Sequence, residues 1–157
     1  AFEWAATPEE RTRLWKARHQ SYFAALQMRP GCRCQSTDTC VPISRLAEII
    51  NASVAEAEAS GIPYWVVGHV GDGNFHLSYL IDPNDPAEAA TVERLSEQMV
   101  RRALELEGTC TGEHGIGLHK MGYLLDEAGP GAVALMRSIK HSLDPRNIMN
   151  PGKVFAF

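Results

Sequence analysis

An α+β fold is predicted by three observations. Two alternating apolar runs flank Gly71-Asp72-Gly73-Asn74, where Asp-Gly signals a two-residue hairpin turn. Segments on either side carry apolar residues at helical spacing. The central order reads strand, helix, strand, strand, helix, strand, which is the split βαβ or ferredoxin-like pattern. It predicts one antiparallel sheet with helices on one face, and extra N- and C-terminal helices packed around that core.

The first helix starts at Thr7-Pro8-Glu9-Glu10: Thr7 caps, Pro8 suits the first turn, and two acids face the positive dipole end. It runs to about Leu26, and Pro30-Gly31 ends it. Trp15, Tyr22, Phe23 and Leu26 share one face, and Arg18 and His19 fall inside that apolar arc. An Arg there either snorkels, pairs with an acid, or awaits an anion. Residues 28–37 read as a loop, and Asp38 to Val41 as a short strand. The second helix spans about Ser44 to Ser60, with Leu46, Ile49, Ile50, Val54 and Ala57 on its buried face and Gly61 as its stop. Strands follow at Pro63 to Val70 and Asn74 to Ile81. Asn84-Asp85-Pro86 opens the third helix, with Glu88 placed to complete a capping box on Asp85 and with Val92, Leu95, Met99, Ala103 and Leu106 as its buried stripe. Thr109-Cys110-Thr111 is a short edge strand flanking the first strand. A glycine-rich turn, Gly112-Glu113-His114-Gly115-Ile116-Gly117, comes next. Two shorter helices near 118–127 and 130–142 are split by Gly129-Pro130-Gly131, and the tail from Asp144 to Lys153 is loop-like.

The chain has 157 residues, the length of one domain, and can bury roughly 70% of its unfolded surface. Its 15 Lys+Arg against 19 Asp+Glu give a net charge of −4, which argues against nucleic acid as a main partner. There is no apolar run of about 18 residues, so no membrane span is expected. Ala1-Phe2-Glu3-Trp4 lacks a basic stretch followed by an apolar one, so no secretory leader is read there. The four cysteines, at 32, 34, 40 and 110, do not form two Cys-x-x-Cys knuckles, and they read as reduced thiols of a cytosolic protein rather than a soft-metal site. Gly112-x-x-Gly115-x-Gly117 is not a dinucleotide fingerprint, and a P-loop is absent.

The hairpin carries the sharpest chemical inference. With Asp72 and Gly73 as turn residues, Gly71 pairs with Asn74, Val70 with Phe75, and His69 with His76. Facing residues share one side of the sheet, about 5 Å apart at Cβ. Two imidazoles at that spacing can chelate a divalent metal. Gly71, Asn74 and Ser78 make their side polar and open, whereas Val70, Phe75 and Leu77 point into the core. A cross-strand His pair also occurs simply hydrogen-bonded or solvated. Glu113-His114 offers a carboxylate and a further imidazole from the glycine turn. Two His and one carboxylate form a common catalytic metal set, and the remaining His can act as general base. On the residues alone, a flavin-free metallohydrolase or a stand-alone metal-binding module remains an alternative to a redox enzyme.

Three stretches resemble the C-terminal domain of FAD-linked oxidases: Gly68-His69-Val70-Gly71-Asp72-Gly73-Asn74-Phe75-His76, Cys110-Thr111-Gly112-Glu113-His114-Gly115-Ile116-Gly117, and Asn150-Pro151-Gly152-Lys153. Leu14-Trp15-Lys16-Ala17-Arg18-His19 and Thr39-Cys40-Val41-Pro42-Ile43-Ser44-Arg45-Leu46 are similar to the FAD-dependent D-lactate dehydrogenase (cytochrome) branch, close to glycolate oxidase and D-2-hydroxyglutarate dehydrogenase. The resemblance covers nearly the whole chain. It implies one substrate or cap domain over residues 1–157, with the N-terminal FAD-binding domain absent from this chain, so that the chain is a fragment inactive by itself. It assigns His69, His76 and Glu113 to a divalent metal (Zn, Mn or Fe) and His114 to the base that takes the substrate hydroxyl proton. Arg18 resembles the arginine that grips the substrate carboxylate. Tyr22 and Ser36 stand where the hydroxyglutarate branch has an assisting threonine and lysine, and a small Ser36 suits a substrate without a second carboxylate. Asn150 and Lys153 lie in the tail that approaches the flavin in relatives. The implied reaction oxidises a small D-2-hydroxy acid to a 2-keto acid, with hydride passing to FAD and electrons onward to a cytochrome or quinone. The implied setting is cytoplasmic or peripheral to the inner membrane, and a homo-oligomer is left open.

Overall fold

The structure is a computed structural model, and it describes residues 4–155. Residues 1–3, on which the reading of no leader partly rests, lie outside the described residues. Four helices and a small antiparallel sheet make up the fold: α1 (Pro8–Leu26), β1 (Arg33–Ser36), β2 (Thr39–Cys40), α2 (Ile43–Ser60), β3 (Tyr64–His69), β4 (Asn74–Ile81), α3 (Pro86–Glu105) and α4 (Met121–Leu143). Local chemistry explains the helix starts. Thr7 and Glu10 cap α1 reciprocally, and Asp85 accepts the Ala87 and Glu88 N–H groups at the head of α3. The predicted break at Gly129 appears as a sharp kink within α4.

Strand β4 is the centre of the sheet. It pairs with β3 on one side and with β1 and β2 on the other, all antiparallel, and Cys40 makes a bridge to Thr109 beyond β2. This is the strand order of the split βαβ pattern, with the segment at 109 on the edge. The register is continuous from β1 into β2: Ser36 faces Ser78, Thr39 faces Phe75, and the Thr37 N–H reaches the Leu77 carbonyl between them. Strand β1 falls within the stretch 28–37 expected as loop. Its Arg33-Cys34-Gln35-Ser36 shows no apolar alternation. It is a strand because the edge of β4 offers it unpaired backbone groups.

One face of β4 (Phe75, Leu77, Tyr79, Ile81) packs against α2 and α3 in a core that includes Ile49, Ala57, Val92, Leu95, Met99 and Ala103. Helix α1 lies over the opposite face, where its Tyr22 meets Trp65 of β3 and its Arg18 meets His69. Both sides of β4 are therefore covered, and every residue of the strand is buried.

Three local expectations are corrected. The hairpin is not a two-residue turn. Val70–Asp72 form a single 3₁₀ turn closed by Gly73, so His69 pairs with Asn74 and Val67, not His69, faces His76. The register moves by two residues, so His69 and His76 stay on the same face but lie diagonally. The cause is tertiary: β2 grips the turn, with the Val41 N–H on the Gly73 carbonyl at 3.0 Å and Cys40 Sγ on the Asp72 carbonyl at 3.1 Å. Val70, expected in the core, is carried outward by the longer turn and is 59% exposed. Glu88 does not complete a capping box on Asp85, because its carboxylate is drawn to Arg29 and to the Asp82 N–H. In α1, Trp15, Tyr22 and Phe23 remain exposed and only Ala25 is fully buried, since a single stripe of the helix reaches the sheet.

Candidate active site

The sheet face beneath α1 carries Ser36 and Asp38 from the β1–β2 strand, His76 and Ser78 from β4, and Trp65 and His69 from β3. The segment 111–117, which has no regular structure, folds over this face from the sheet edge. These elements bring His69, His76, Glu113, His114 and Arg18 together.

His76 is 5% exposed, with Nδ1 2.8 Å from the Thr37 carbonyl and Nε2 2.9 Å from Oε1 of Glu113. A carbonyl only accepts, so Nδ1 carries hydrogen, and in the neutral ring the Nε2 lone pair faces a carboxylate oxygen. Two acceptors in contact share a cation between them, a proton or a metal ion. A backbone carbonyl that fixes the far ring nitrogen is also the usual support of a metal-binding imidazole. The other Glu113 oxygen, Oε2, stands 3.8 Å from Nε2 of His69. One carboxylate thus lies between both imidazoles, in contact with His76 and short of contact with His69. Two nitrogens and an oxygen are donor types that would suit Zn, Mn or Fe alike, but the three would have to draw closer to share one ion.

Arg18 Nη2 is 3.1 Å from the same Nε2 of His69, which must accept, since a guanidinium only donates. A permanent positive charge is therefore anchored beside the imidazole pair. Tyr22 lies one helical turn further on, its ring 6.3 Å from that of Trp65 and its surface largely open. His114 stacks on His76 with ring centroids 5.0 Å apart and planes at 7°, its Nε2 4.0 Å from Oε1 of Glu113. It is half exposed and so open to a ligand. Ser36 Oγ lies 2.9 Å from Ser78 Oγ. A cavity of about 680 Å³ opens between β1, α3 and the 114–120 segment, with Ser36 and His114 on its wall.

Asn150 and Lys153 stand apart from the imidazoles. Their side chains meet each other at 3.3 Å, and the tail is tied to the glycine turn by the Val154 N–H on the Gly117 carbonyl at 2.8 Å. All four cysteines are free thiols, as expected. Cys34 and Cys40 sit in strands rather than loops, and burial, with the Glu127 carboxylate second, pushes the Cys110 thiol up to about 12.

The sequence reading missed Asp38 as a site residue. Asp38, His76 and His114 each offer a donor atom within 4.8 Å of the others. The Asp38 oxygens, however, are already engaged by the N–H groups of Gly112, Glu113 and His114, by the Thr111 hydroxyl and by Lys120. Glu113 is thus the carboxylate left freer to meet a cation. Burial alone would raise the Asp38 pKa, but the His114 N–H, the Thr111 hydroxyl, the Glu113 N–H and the Lys120 charge outweigh it and hold the carboxyl well below the ordinary range. The available signal was an acid set between two threonines, Thr37-Asp38-Thr39, in a strand run where Asp is disfavoured.

The family model of FAD-linked oxidases, C-terminal domain, matches residues 1–154. The chain belongs to this family. As an FAD-linked oxidase domain, it is 54% identical over 98% of its length to a probable mitochondrial D-lactate dehydrogenase of Danio rerio, covering 31% of that protein. It is 46% identical to the mitochondrial D-lactate dehydrogenase [cytochrome] of Arabidopsis thaliana, again over 98% of this chain but 27% of the relative. Glycolate oxidase subunit GlcD of Bacillus subtilis is 36% identical over 97% of the chain and 32% of the relative. The FAD-linked oxidase domain therefore spans about a third or less of the curated relatives it matches. Among solved structures, a 4-ethylphenol oxidase from Gulosibacter chungangensis superposes with a TM-score of 0.61 at 17% identity, covering 98% of this chain and 32% of that one, which shows the shared fold.

Proposed function

We propose that the chain is the substrate- and metal-binding domain, one unit over residues 1–157, of a flavin-dependent D-2-hydroxy acid dehydrogenase of the D-lactate type. FAD is held mainly by a separate N-terminal domain. The observation that carries the reading is the Glu113 carboxylate spanning His69 and His76 with the Arg18 charge beside them. The names of the relatives support the substrate class.

His69, His76 and Glu113 would hold the divalent ion, and Asn150 and Lys153 would face the flavin. When bound, the ion would supply a Lewis acid that makes the substrate hydroxyl easier to deprotonate, and the flavin would supply the hydride acceptor. The rest is the work of this chain. Arg18 turns its fork from His69 to a substrate carboxylate, for which a planar guanidinium is well shaped. His114, stacked and half exposed, takes the hydroxyl proton. Ser36 and Ser78, hydrogen-bonded to each other beside the imidazoles, add no positive charge of their own, which favours a substrate with one carboxylate, such as lactate, and Tyr22 of α1 would flank it from beside Trp65. Product leaves as a 2-keto acid, with electrons passing to a cytochrome or quinone. Two of the relatives are named as mitochondrial, which supports a mitochondrial setting over a purely cytoplasmic one. Among the described residues no helix is long and apolar enough to cross a membrane.

The test uses the full-length protein. It is expected to be yellow, to lose D-lactate-driven flavin reduction on chelation, and to regain it with added divalent metal. His114→Ala is expected to cut flavin reduction at least 100-fold while metal stays bound. A colourless full-length protein, or unchanged reduction by the His114 variant, would refute the reading.

A further inference from the structure

We propose that Asp38 is the positioning residue for Glu113 and His114: its buried carboxylate is the fixed anion around which the turn 111–114 folds. The inference rests on the roles proposed above for those two residues and adds what holds them in place.

Asp38 is 2% exposed, yet its two oxygens receive six donors. Oδ2 accepts from Thr111 Oγ1 at 2.8 Å, from the Gly112 N–H at 2.9 Å, from the His114 N–H at 3.1 Å and from Lys120 Nζ at 3.3 Å. Oδ1 accepts from the Glu113 N–H and from Asn74 Nδ2, both at 3.1 Å. Three consecutive backbone N–H groups converging on one anion form the concavity that elsewhere binds phosphate. Here the anion is supplied by the chain itself. Gly112, Glu113 and His114 are exposed and join no sheet ladder, so these bonds are what holds their backbone, while His76 meets the Glu113 and His114 side chains. Gly112 is required for the approach: a Cβ there would stand 1.8 Å from Asn74 Nδ2 and 2.8 Å from Asp38 Oδ1.

The neighbouring residue completes the argument. The Thr37 carbonyl orients the His76 ring, and its hydroxyl accepts the Leu77 N–H at 2.9 Å. Successive residues of the link between β1 and β2 thus aim His76 and seat the backbone that presents Glu113. The two partners share one rigid frame although 37 residues separate them. Lys120 neutralises the buried charge and also donates to the Asp38 carbonyl at 2.6 Å.

The experiment compares Asp38→Asn and Thr111→Val with the wild type in the full-length protein stripped of metal. Two readouts are taken: hydrogen–deuterium exchange of the peptide covering 111–117, and cobalt(II) titration followed by its visible absorption. Asp38→Asn keeps the shape but turns an N–H toward N–H donors. It is expected to speed exchange in that peptide at least tenfold while β4 stays protected, and to weaken cobalt about 10–100-fold with an altered spectrum. Thr111→Val, which removes one donor and no charge, is expected to move both readouts the same way by less. Wild-type exchange together with wild-type cobalt affinity and spectrum in Asp38→Asn overturns the proposal. Should that variant not fold, unchanged readouts in Thr111→Val overturn it. A wild-type protein that takes no cobalt sinks the metal reading alone, and the exchange comparison then decides the role of Asp38.

Discussion

Replacing Gly73 by Ala tests whether the hairpin that places His69 is set by its contact with β2. Gly73 has φ +76°, where an L side chain costs about 1–2 kcal/mol, and its added Cβ would stand 2.0 Å from the Val41 carbonyl oxygen. A backbone atom cannot step aside as a side chain can, so β2 must shift, at roughly the 1–3 kcal/mol of an overpacked core. The less flexible unfolded chain returns about 0.4–1 kcal/mol. The net loss is about 1–4.5 kcal/mol. Gly71 is the control, because a Cβ there meets nothing within 4 Å and its φ is not in the left-handed region. Urea unfolding of the chain is followed by circular dichroism, with the slope checked for constancy. Gly73→Ala is expected to lower the midpoint clearly, and Gly71→Ala to leave it unchanged or slightly raised. Equal shifts in both variants would refute the argument that β2 dictates the turn and hence the register.

Leu77 is fully buried in the cluster formed with α2 and α3, so Leu77→Ala should cost about 2–5 kcal/mol in the same assay; a loss under about 1 kcal/mol would mean the core is not where the sheet places it. Arg29 makes two bonds to Glu88, at 2.7 and 3.1 Å, and one to the Leu80 carbonyl at 2.8 Å. Arg29→Met takes the cation from Glu88, which keeps only the Asp82 N–H, and the donor from the Leu80 carbonyl, so it should lower the urea midpoint, whereas a neutral result would make this a surface pair without weight. Asp144 is held down at about 2 against an ordinary 3.8, by the Lys140 ammonium first and then by the Met149 N–H. A lowered folded value means that its contribution is full above about pH 4 and is lost as pH falls through about 2. The Ile148 and Met149 amides, which this carboxylate accepts, should lose exchange protection over that window and not at higher pH.

The positions of α1, α2, α3 and the kink at Gly129 were legible because their signals are local. Thr7 with Glu10, Asp85 before Pro86, and apolar residues three and four apart act within one or two turns of chain. The face shared by His69 and His76 was legible too, because strand alternation survives a two-residue slip. The exact register was not: it depends on a grip between Cys40 and Asp72, 32 residues apart. Strand β1 has no pattern of its own and exists only as the neighbour of β4. Glu88 obeyed Arg29, 59 residues away, rather than the cap beside it, since a charged partner in a half-buried site outweighs a local backbone bond. Asp38 is the extreme case. Its partners Gly112 and His114 lie 74 and 76 residues further along, and a lone acid between threonines says nothing of them. Residue types and periodicity by themselves determined which groups were available and which face they share. Only the tertiary structure decided which carboxylate would carry the loop and which would span the imidazoles, because burial and hydrogen bonding set the task of an ionised group, and both arise only once distant segments meet.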